Sequence, residues 1–386
     1  MWRDISGQAI GAGFLAAFVG SAGSFAVIIA GLTAVGASSA EAASGLMALS
    51  AAMGLSAIIF CAWYRQPISI AWSTPGGALL ATSAALDGGF AAAVGAFIIS
   101  GVLIVAAGLF KPLGRMVQRI PAPLANAMLA GVLFGLCLAP VRAIAEQPVA
   151  GLLIVVAWLI VGRLNRLFAV PAAVLVAAIV IIGGQKGDGP VISSVLPDVV
   201  LVTPIFSIEA LGLAIPLFLV TMASQNIPGI AILNANGYRP PPGPLFTGTG
   251  LFSLASAPFG GHAVNLAAIT AALCAGEDAH PDPKRRYWAG ISSGVGYLLF
   301  ALIAGAATAF MQASPPVLIE AVAGLALLGA FGGAVAGAIV DTEGREAAVV
   351  TFLVTASGVS FFGISGAFWG LVAGGVVLAL TRWRTA

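Results

Sequence analysis

The chain has 386 residues, of which 60% are hydrophobic and only 8% charged, and its formal net charge is +2. A soluble domain carries about 25% charged residues, so a fold clothed in water is excluded and lipid is the solvent that fits. The basic residues are scattered without aromatic interleaving, which excludes a nucleic-acid surface; Cys61, Cys137 and Cys274 lie far apart and lack metal-ligand or redox spacing, so neither metal nor cofactor is implied.

A hydrocarbon core about 30 Å thick needs roughly 20 apolar residues as helix. Taken in order, the apolar segments predict an all-α membrane protein with about fourteen spans: 8–34, 41–63, 68–86, 90–110, 122–139, 148–162, 168–184, 208–234, 243–257, 260–276, 287–311, 316–338, 346–361 and 364–381. The polar start MWRDISGQ runs into the first segment with no clear cleavage site, so that segment is expected to be a retained span. Within it, Ser21, Gly23 and Ser24 precede FAVIIAGLTAVG, which ends at Gly36. The third segment differs from a plain span. Ile68, Ile70 and Trp72 alternate with Ser69, Ala71 and Ser73, as in a strand. Pro75 then stands where a helix begins, with Ser73 or Thr74 as its cap, and Gly76 and Gly77 let a ligand approach the backbone.

The connection 185–207 divides the chain into halves, 1–184 and 208–386, of about seven spans each; an odd number per half makes the second half an inverted copy of the first. Traces of the copy are legible. The eighth span carries Ser224, Gln225 and Asn226 before IPGIAILNANG, ending at Gly237, and the tenth region repeats the order Pro, Gly-Gly, then an Ala/Leu/Thr-rich helix in APFGGHAVNLAAITAAL. There an irregular Pro258–Gly261 stretch is expected to lead into a second half-helix starting near Gly261–Asn265. With the N-terminus inside, every Lys and Arg except Arg142 and Lys186 falls on the cytoplasmic side, which predicts two cytoplasmic ends in a bacterial-type inner membrane.

Broken backbone deep in a membrane is tolerated only where protein or a cavity covers it, and two breaks at matched positions point to a transport site. Each half-helix N-terminus offers unpaired N–H groups and about half a positive charge. Since no Lys or Arg falls inside a span, these ends are the expected partner for an anion. Candidate substrate-binding residues are Ser21, Ser24, Trp72, Ser73, Thr74, Gly76, Gln225, Asn226, Gly260, Gly261, His262 and Asn265, with Trp72 and Phe259 able to stack on a ring. The acidic residues sit at span ends or in loops, which leaves His262 as the candidate for a coupling proton. Neither an HExxH zinc site nor a GxSxG elbow occurs, so catalysis is not expected.

The segments AWSTPGGALL from Ala71, ASQNIPGIAILNANGYRPP from Ala223, GGHAVNLAAITAA from Gly260 and AHPDPKRRYWAG from Ala279 resemble the benzoate/proton symporter family, BenE, along essentially the whole chain. That resemblance, with its relation to uracil-permease-type and sulfate-permease-like carriers, implies a seven-plus-seven inverted fold. A core of spans 1–4 and 8–11 (about 8–110 and 208–311) would move against a gate of spans 5–7 and 12–14 (about 122–184 and 316–381), with dimerisation through the gate. It implies an aromatic carboxylate and protons as cargo. Where nucleobase carriers use acidic residues in spans 8 and 10, this chain has Gln225, Asn226, His262 and Asn265, a change that suits an anion. Other readings of the residues are a carrier or exporter of another anion or of a nucleobase, and an anion channel.

Overall fold

The computed structural model describes residues 4–385 apart from 23, 84, 111, 113–119, 185–195, 268, 341, 360 and 362–365. Gly23, residues 185–195 of the 185–207 connection and the cations Arg3, Lys111, Arg115, Arg119 and Lys186 therefore lie outside the described residues.

The first half comprises α1 (Gly7–Ala22), α2 (Phe25–Ala34), α3 (Ser39–Tyr64), β1 (Ile70–Trp72), α4 (Thr74–Ala81), α5 (Gly89–Leu109), α6 (Ala122–Cys137), α7 (Ala139–Glu146), α8 (Pro148–Leu164) and α9 (Ala169–Gly184). The second comprises α10 (Ile208–Thr221), a π-turn (Met222–Asn226), α11 (Ile227–Ala235), α12 (Pro242–Ser256), β2 (Val264–Leu266), α13 (Ile269–Ala275), α14 (Tyr287–Leu302), α15 (Ala304–Gln312), α16 (Pro316–Ile339), α17 (Arg345–Ala356) and α18 (Gly366–Thr385). Among the described residues, six segments are long and apolar enough to cross a membrane: Gly7–Ala34, Ser39–Tyr64, Gly89–Leu109, Ala122–Glu146, Ile208–Ala235 and Pro316–Ile339. A seventh, Pro283–Leu302 with Ala304–Met311, bends by 58° at its break. The rest of the expected fourteen are other helices, among them the shorter apolar stretches Pro148–Leu164, Ala169–Gly183 and Gly366–Thr381, and two strand-plus-half-helix pieces. The protein is thus a mostly helical, multi-pass membrane protein, and helices such as α8 turn Leu152, Leu159 and Ile160 outward, as lipid requires.

Local chemistry explains the punctuation. Ser38 and Glu41 form a reciprocal capping box at the start of α3: Ser38 Oγ accepts from the Glu41 N–H, and the Glu41 carboxylate accepts from the Ser38 N–H at 2.8 Å. Gly36 and Gly237 close α2 and α11 at φ +99° and +85°, conformations that favour glycine. The π-turn has its cause in Pro228, which lacks an N–H and whose ring would strike the carbonyl four residues back; the chain bulges, and the Ile227 N–H reaches the Met222 carbonyl five residues back.

Helices α3 and α14 pack together, as do α12 and α5, while α6 packs on α16 and α17. Both of the first two pairs close through reciprocal glycines. A Cβ on Gly54 would lie 2.6 Å from the Gly294 carbonyl oxygen, and one on Gly294 2.7 Å from that of Gly54. Gly108 and Gly243 stand in the same relation at 2.6 and 2.8 Å. Small residues of this kind let membrane helices approach backbone to backbone.

Candidate functional site

The two breaks meet. Strands β1 and β2 pair antiparallel with Ile70 opposite Leu266, Ala71 opposite Asn265 and Trp72 opposite Val264. Outside the strands, Ser73 N–H donates to Ala263 O at 3.0 Å and Ala267 N–H to Ser69 O at 2.9 Å, which extends the ladder at both ends. Each strand feeds a half-helix, and because the strands run oppositely, α4 and α13 leave the crossing in opposite directions. The alternation before Pro75 and the cap at Ser73 appear as the sequence implies. The second half-helix does not: it starts at Ile269, not near Gly261–Asn265, because Val264–Leu266 are committed to the ladder.

Each candidate residue has a definite place. Ser73 Oγ accepts from the Gly76 N–H at 3.1 Å and from Thr221 Oγ1 at 2.9 Å, and its carbonyl accepts from the Gly77 N–H. The start of α4 is therefore largely capped from within, with Pro75 lacking an N–H; Thr74 is half-buried and its side chain has no hydrogen bond among the described residues. Gly76 sits against Leu217, whose Cδ1 lies 2.8 Å from where a Cβ would stand. Trp72 is enclosed: its indole N–H donates to Ser24 Oγ at 2.7 Å, Ser24 donates onward to Gly20 O, and Phe300 packs edge-on at 5.9 Å. Asn226 is buried, its Oδ1 accepting from the Leu266 N–H at 2.9 Å, so the π-turn holds the edge of β2. Its neighbour Gln225 is 8% exposed and has no partner among the described residues. Asn265 donates to Leu266 O at 3.0 Å and leaves Oδ1 buried without a partner among the described residues; Ser21 Oγ is in the same condition. Gly260 turns at φ +93°, and Gly261 lies against Ser256. Phe259 is half-buried, with its carbonyl accepting from Ser44.

His262 is fully buried on the α4 side of the crossing, its ring 6.2 Å from that of Phe97. Nε2 stands 2.9 Å from Ser73 O, and a carbonyl oxygen brings no proton, so Nε2 is the donor. The other nitrogen, Nδ1, has no partner among the described residues. Among the described residues no group of three His, Cys, Asp or Glu gathers as a metal site.

Two crevices open where α6 faces α10 and the π-turn. One is lined by Val132 with Leu213, Asp87 and Glu209; the other by Asn126 and Met128 with Val220, Ser224 and Pro228. Residues Val132 to Asn126 run back along α6 as Leu213 to Pro228 run forward along the facing chain, so the crevices approach one seam from opposite ends. Between them, Leu217 meets Gly76 and Thr221 meets Ser73. Thr221 was not legible as a site residue in the sequence: a lone threonine before SQN has no pattern of its own.

The family model described as benzoate membrane transport protein, BenE, matches residues 3–380. An inner membrane protein of Escherichia coli (strain K12), YdcO, is 44% identical over 370 residues, 95% of this chain and 93% of that protein. A benzoate membrane transport protein of Acinetobacter baylyi is 33% identical over 380 residues, 96% of this chain and 94% of the relative. In fold, the chain is similar to the transmembrane domain of a cyanobacterial bicarbonate transporter, BicA (TM-score 0.66, 17% identity, 96% of this chain and 98% of that one). It is also similar to the murine anion transporter Slc26a9 in its inward-facing state (TM-score 0.64, 12% identity, 97% and 68%). The chain belongs to the BenE family of benzoate membrane transport proteins, and it is a membrane transporter, not an enzyme.

Proposed function

We propose that this protein is a secondary transporter that imports benzoate or a similar aromatic carboxylate with protons across the bacterial inner membrane. The observation that carries the reading is the β1–β2 crossing, from which two half-helices leave in opposite directions beside a seam with a crevice toward each end. An elevator-like motion of the core (8–110 and 208–311) against the gate (122–184 and 316–381) would carry the site from one crevice to the other. In this reading, Ser21, Thr74, Gln225 and Asn265 retain polar capacity for a carboxylate. Ser24, Trp72, Ser73, Gly76, Asn226, Gly260, Gly261 and His262 hold the frame around it, and His262 is also the candidate proton carrier.

The fourteen-span, seven-plus-seven arrangement is part of the proposal. An inverted repeat relates spans 1–4 to spans 8–11, so it must exchange the α3–α14 contact with the α12–α5 contact. The reciprocal glycines of the two pairs fit that exchange. So do the positive-φ glycines that close α2 and α11, and the interruptions of the first and eighth spans at residue 24 and at the π-turn. The bias of Lys and Arg supports two cytoplasmic termini, and the family resemblance supports a dimer through the gate.

A carrier of a small inorganic anion is the second reading, favoured by the enclosure of Trp72, which leaves its indole no free face for a substrate ring. Thermal stabilisation of the purified protein by benzoate, uracil, sulfate and bicarbonate separates the two. Uptake of labelled benzoate into proteoliposomes under an imposed pH gradient, acidic outside, tests the coupling: accumulation that follows the gradient is expected, and uptake indifferent to it removes the proton.

A further inference from the structure

The crevice between α6 and the π-turn differs from its counterpart in what lines it. The other carries Asp87 and Glu209 on its wall, whereas no charged residue among those described lines this one. Its polar members are Asn126 on α6 and Ser224 on the π-turn, set among Met128, Leu129, Val220 and Pro228. In the orientation proposed above it opens toward the cytoplasm, since Arg239 follows α11 and Lys111, Arg115 and Arg119 precede α6.

The polar groups are mostly acceptors. The Ile227 N–H is spent on Met222 O, and Pro228 has no N–H. Ala223 O therefore lacks both of the helical donors four and five residues ahead, and Ser224 O lacks the first of its two. Helix carbonyls run along the axis toward those residues, so both head for the stretch that holds Pro228, and all three residues line the crevice. Ser224 Oγ gives its proton to Val220 O at 2.6 Å and keeps only lone pairs. One donor group stands across from them: the carboxamide of Asn126, half-buried and without a hydrogen-bond partner among the described residues. A glycine makes its place. A Cβ on Gly337 of α16 would lie 2.9 Å from Asn126 Cγ and nearer still to Nδ2.

Several acceptors and one amide select against a carboxylate, which can only accept; its charge would stand among lone pairs, and an uncompensated buried charge is the costliest arrangement of all. A protonated carboxyl group fits. Its O–H donates to a free carbonyl or to Asn126 Oδ1, its C=O accepts from Asn126 Nδ2, and the apolar walls take the ring. We propose that this crevice is a second substrate subsite, which holds the transported aromatic acid in its neutral, protonated form, and that Asn126 is its specificity-determining residue. The inference rests on the aromatic-carboxylate reading above and gives the proton a carrier besides His262, namely the substrate. Release follows from ordinary acidity. Carboxyl groups titrate at about pH 4, so on contact with cytoplasmic water the O–H bond breaks and the proton passes to water. The carboxylate left behind meets a wall of acceptors that no longer holds it.

Benzamide is the probe: it is uncharged and presents an N–H beside a C=O, as the protonated acid presents an O–H beside a C=O. Binding of benzamide and of benzoate at neutral pH is measured by calorimetry on the purified, detergent-solubilised protein, on Asn126→Leu and on Asn126→Asp, with melting temperatures taken without ligand. The unaltered protein is expected to bind both. Asn126→Leu, close in volume, and Asn126→Asp, close in shape but with only acceptors when ionised, are each expected to bind benzamide at least about tenfold more weakly. Asn126→Leu is expected to keep its benzoate affinity, because the anion is held at the crossing, and its melting temperature, because no described bond is lost. Three results overturn the inference: no benzamide binding by the unaltered protein, benzamide binding unchanged in both variants, or a loss of benzoate affinity in Asn126→Leu that matches the loss of benzamide. Each leaves the transport reading standing so long as proteoliposomes take up labelled benzoate; a protein that takes up none overturns that reading and this inference with it.

Discussion

His262 of the second half donates from Nε2 to the carbonyl oxygen of Ser73 in the first, at 2.9 Å. The bond joins the irregular stretch before β2 to the residue that caps α4, so it locks the crossing of the two halves. A histidine in this position does two separable things: it pins backbone, and it offers Nδ1 to a proton. Glutamine can reproduce the Nε2 donor but cannot titrate. If His262 carries the coupling proton, His262→Gln keeps its melting temperature within a few degrees and still binds substrate, yet its uptake no longer responds to a pH gradient. If the residue only pins, His262→Gln stays coupled. His262→Ala loses the bond in either case, at about 0.5–1.5 kcal/mol since the Ser73 carbonyl keeps the Gly77 N–H, and is expected to lose stability and transport together.

Gln225 and Asn226 are neighbours with opposite prospects. The Asn226 carboxamide accepts from the Leu266 N–H on β2, and its removal strands that donor inside the protein. Asn226→Ala is expected to cost about 1–3 kcal/mol of stability. Gln225 spends its amide on nothing among the described residues, so Gln225→Ala strands no buried donor or acceptor and should cost less stability than Asn226→Ala. Its effect should appear in the benzoate dissociation constant. Melting temperature and binding, measured on both variants, separate frame from ligand contact.

The pattern around Pro75 was legible because several local signals agreed: period-two alternation, a capping serine, and a proline at the first turn. The same sequence logic placed α13 too early. Val264, Asn265 and Leu266 look helical in an Ala- and Leu-rich run, and only their pairing with Ile70–Trp72, nearly two hundred residues away, holds them extended. Direction was equally hidden. Nothing in the letters says that Trp72 turns to Ser24 or that His262 turns to Ser73, since each is set by elements far apart in the chain.

The Gly54–Gly294 contact is a backbone-to-backbone crossing of α3 and α14 with no room for a methyl group on either side. A Cβ 2.6–2.7 Å from a carbonyl oxygen forces the helices apart, and overpacking of this sort costs about 1–3 kcal/mol. Gly54→Ala and Gly294→Ala are each expected to lower the melting temperature. The double variant should cost less than the sum of the two, because the first displacement already opens the space the second needs. Gly329→Ala, where nothing lies within 4 Å of the added atom, is the control and should be neutral or mildly stabilising.

Arg286 supplies the last prediction. Only 5% exposed, its guanidinium donates to the His280 carbonyl at 2.6 Å and to the Ala275 carbonyl at 2.8 Å, with a longer contact to Pro281 O at 3.4 Å. Ala275 ends α13, so the cation stands at the negative end of that half-helix and ties it to the loop that follows. A planar fork with several N–H donors can serve carbonyls that diverge in this way; the ammonium of lysine, a compact point charge on a flexible stem, cannot hold the same geometry. Arg286→Ala leaves at least two carbonyls without their donor, and hydrogen bonds to charged groups contribute about 1.5–3 kcal/mol each. The expected result is a loss of about 2–4 kcal/mol of stability, seen as a fall in melting temperature, with Arg286→Lys recovering only part of it. Because α13 supplies one side of the crossing, substrate should stabilise the Arg286→Ala protein less than the unaltered one. Equal ligand-induced shifts in the two proteins would place Arg286 in the loop alone, with no hold on the half-helix.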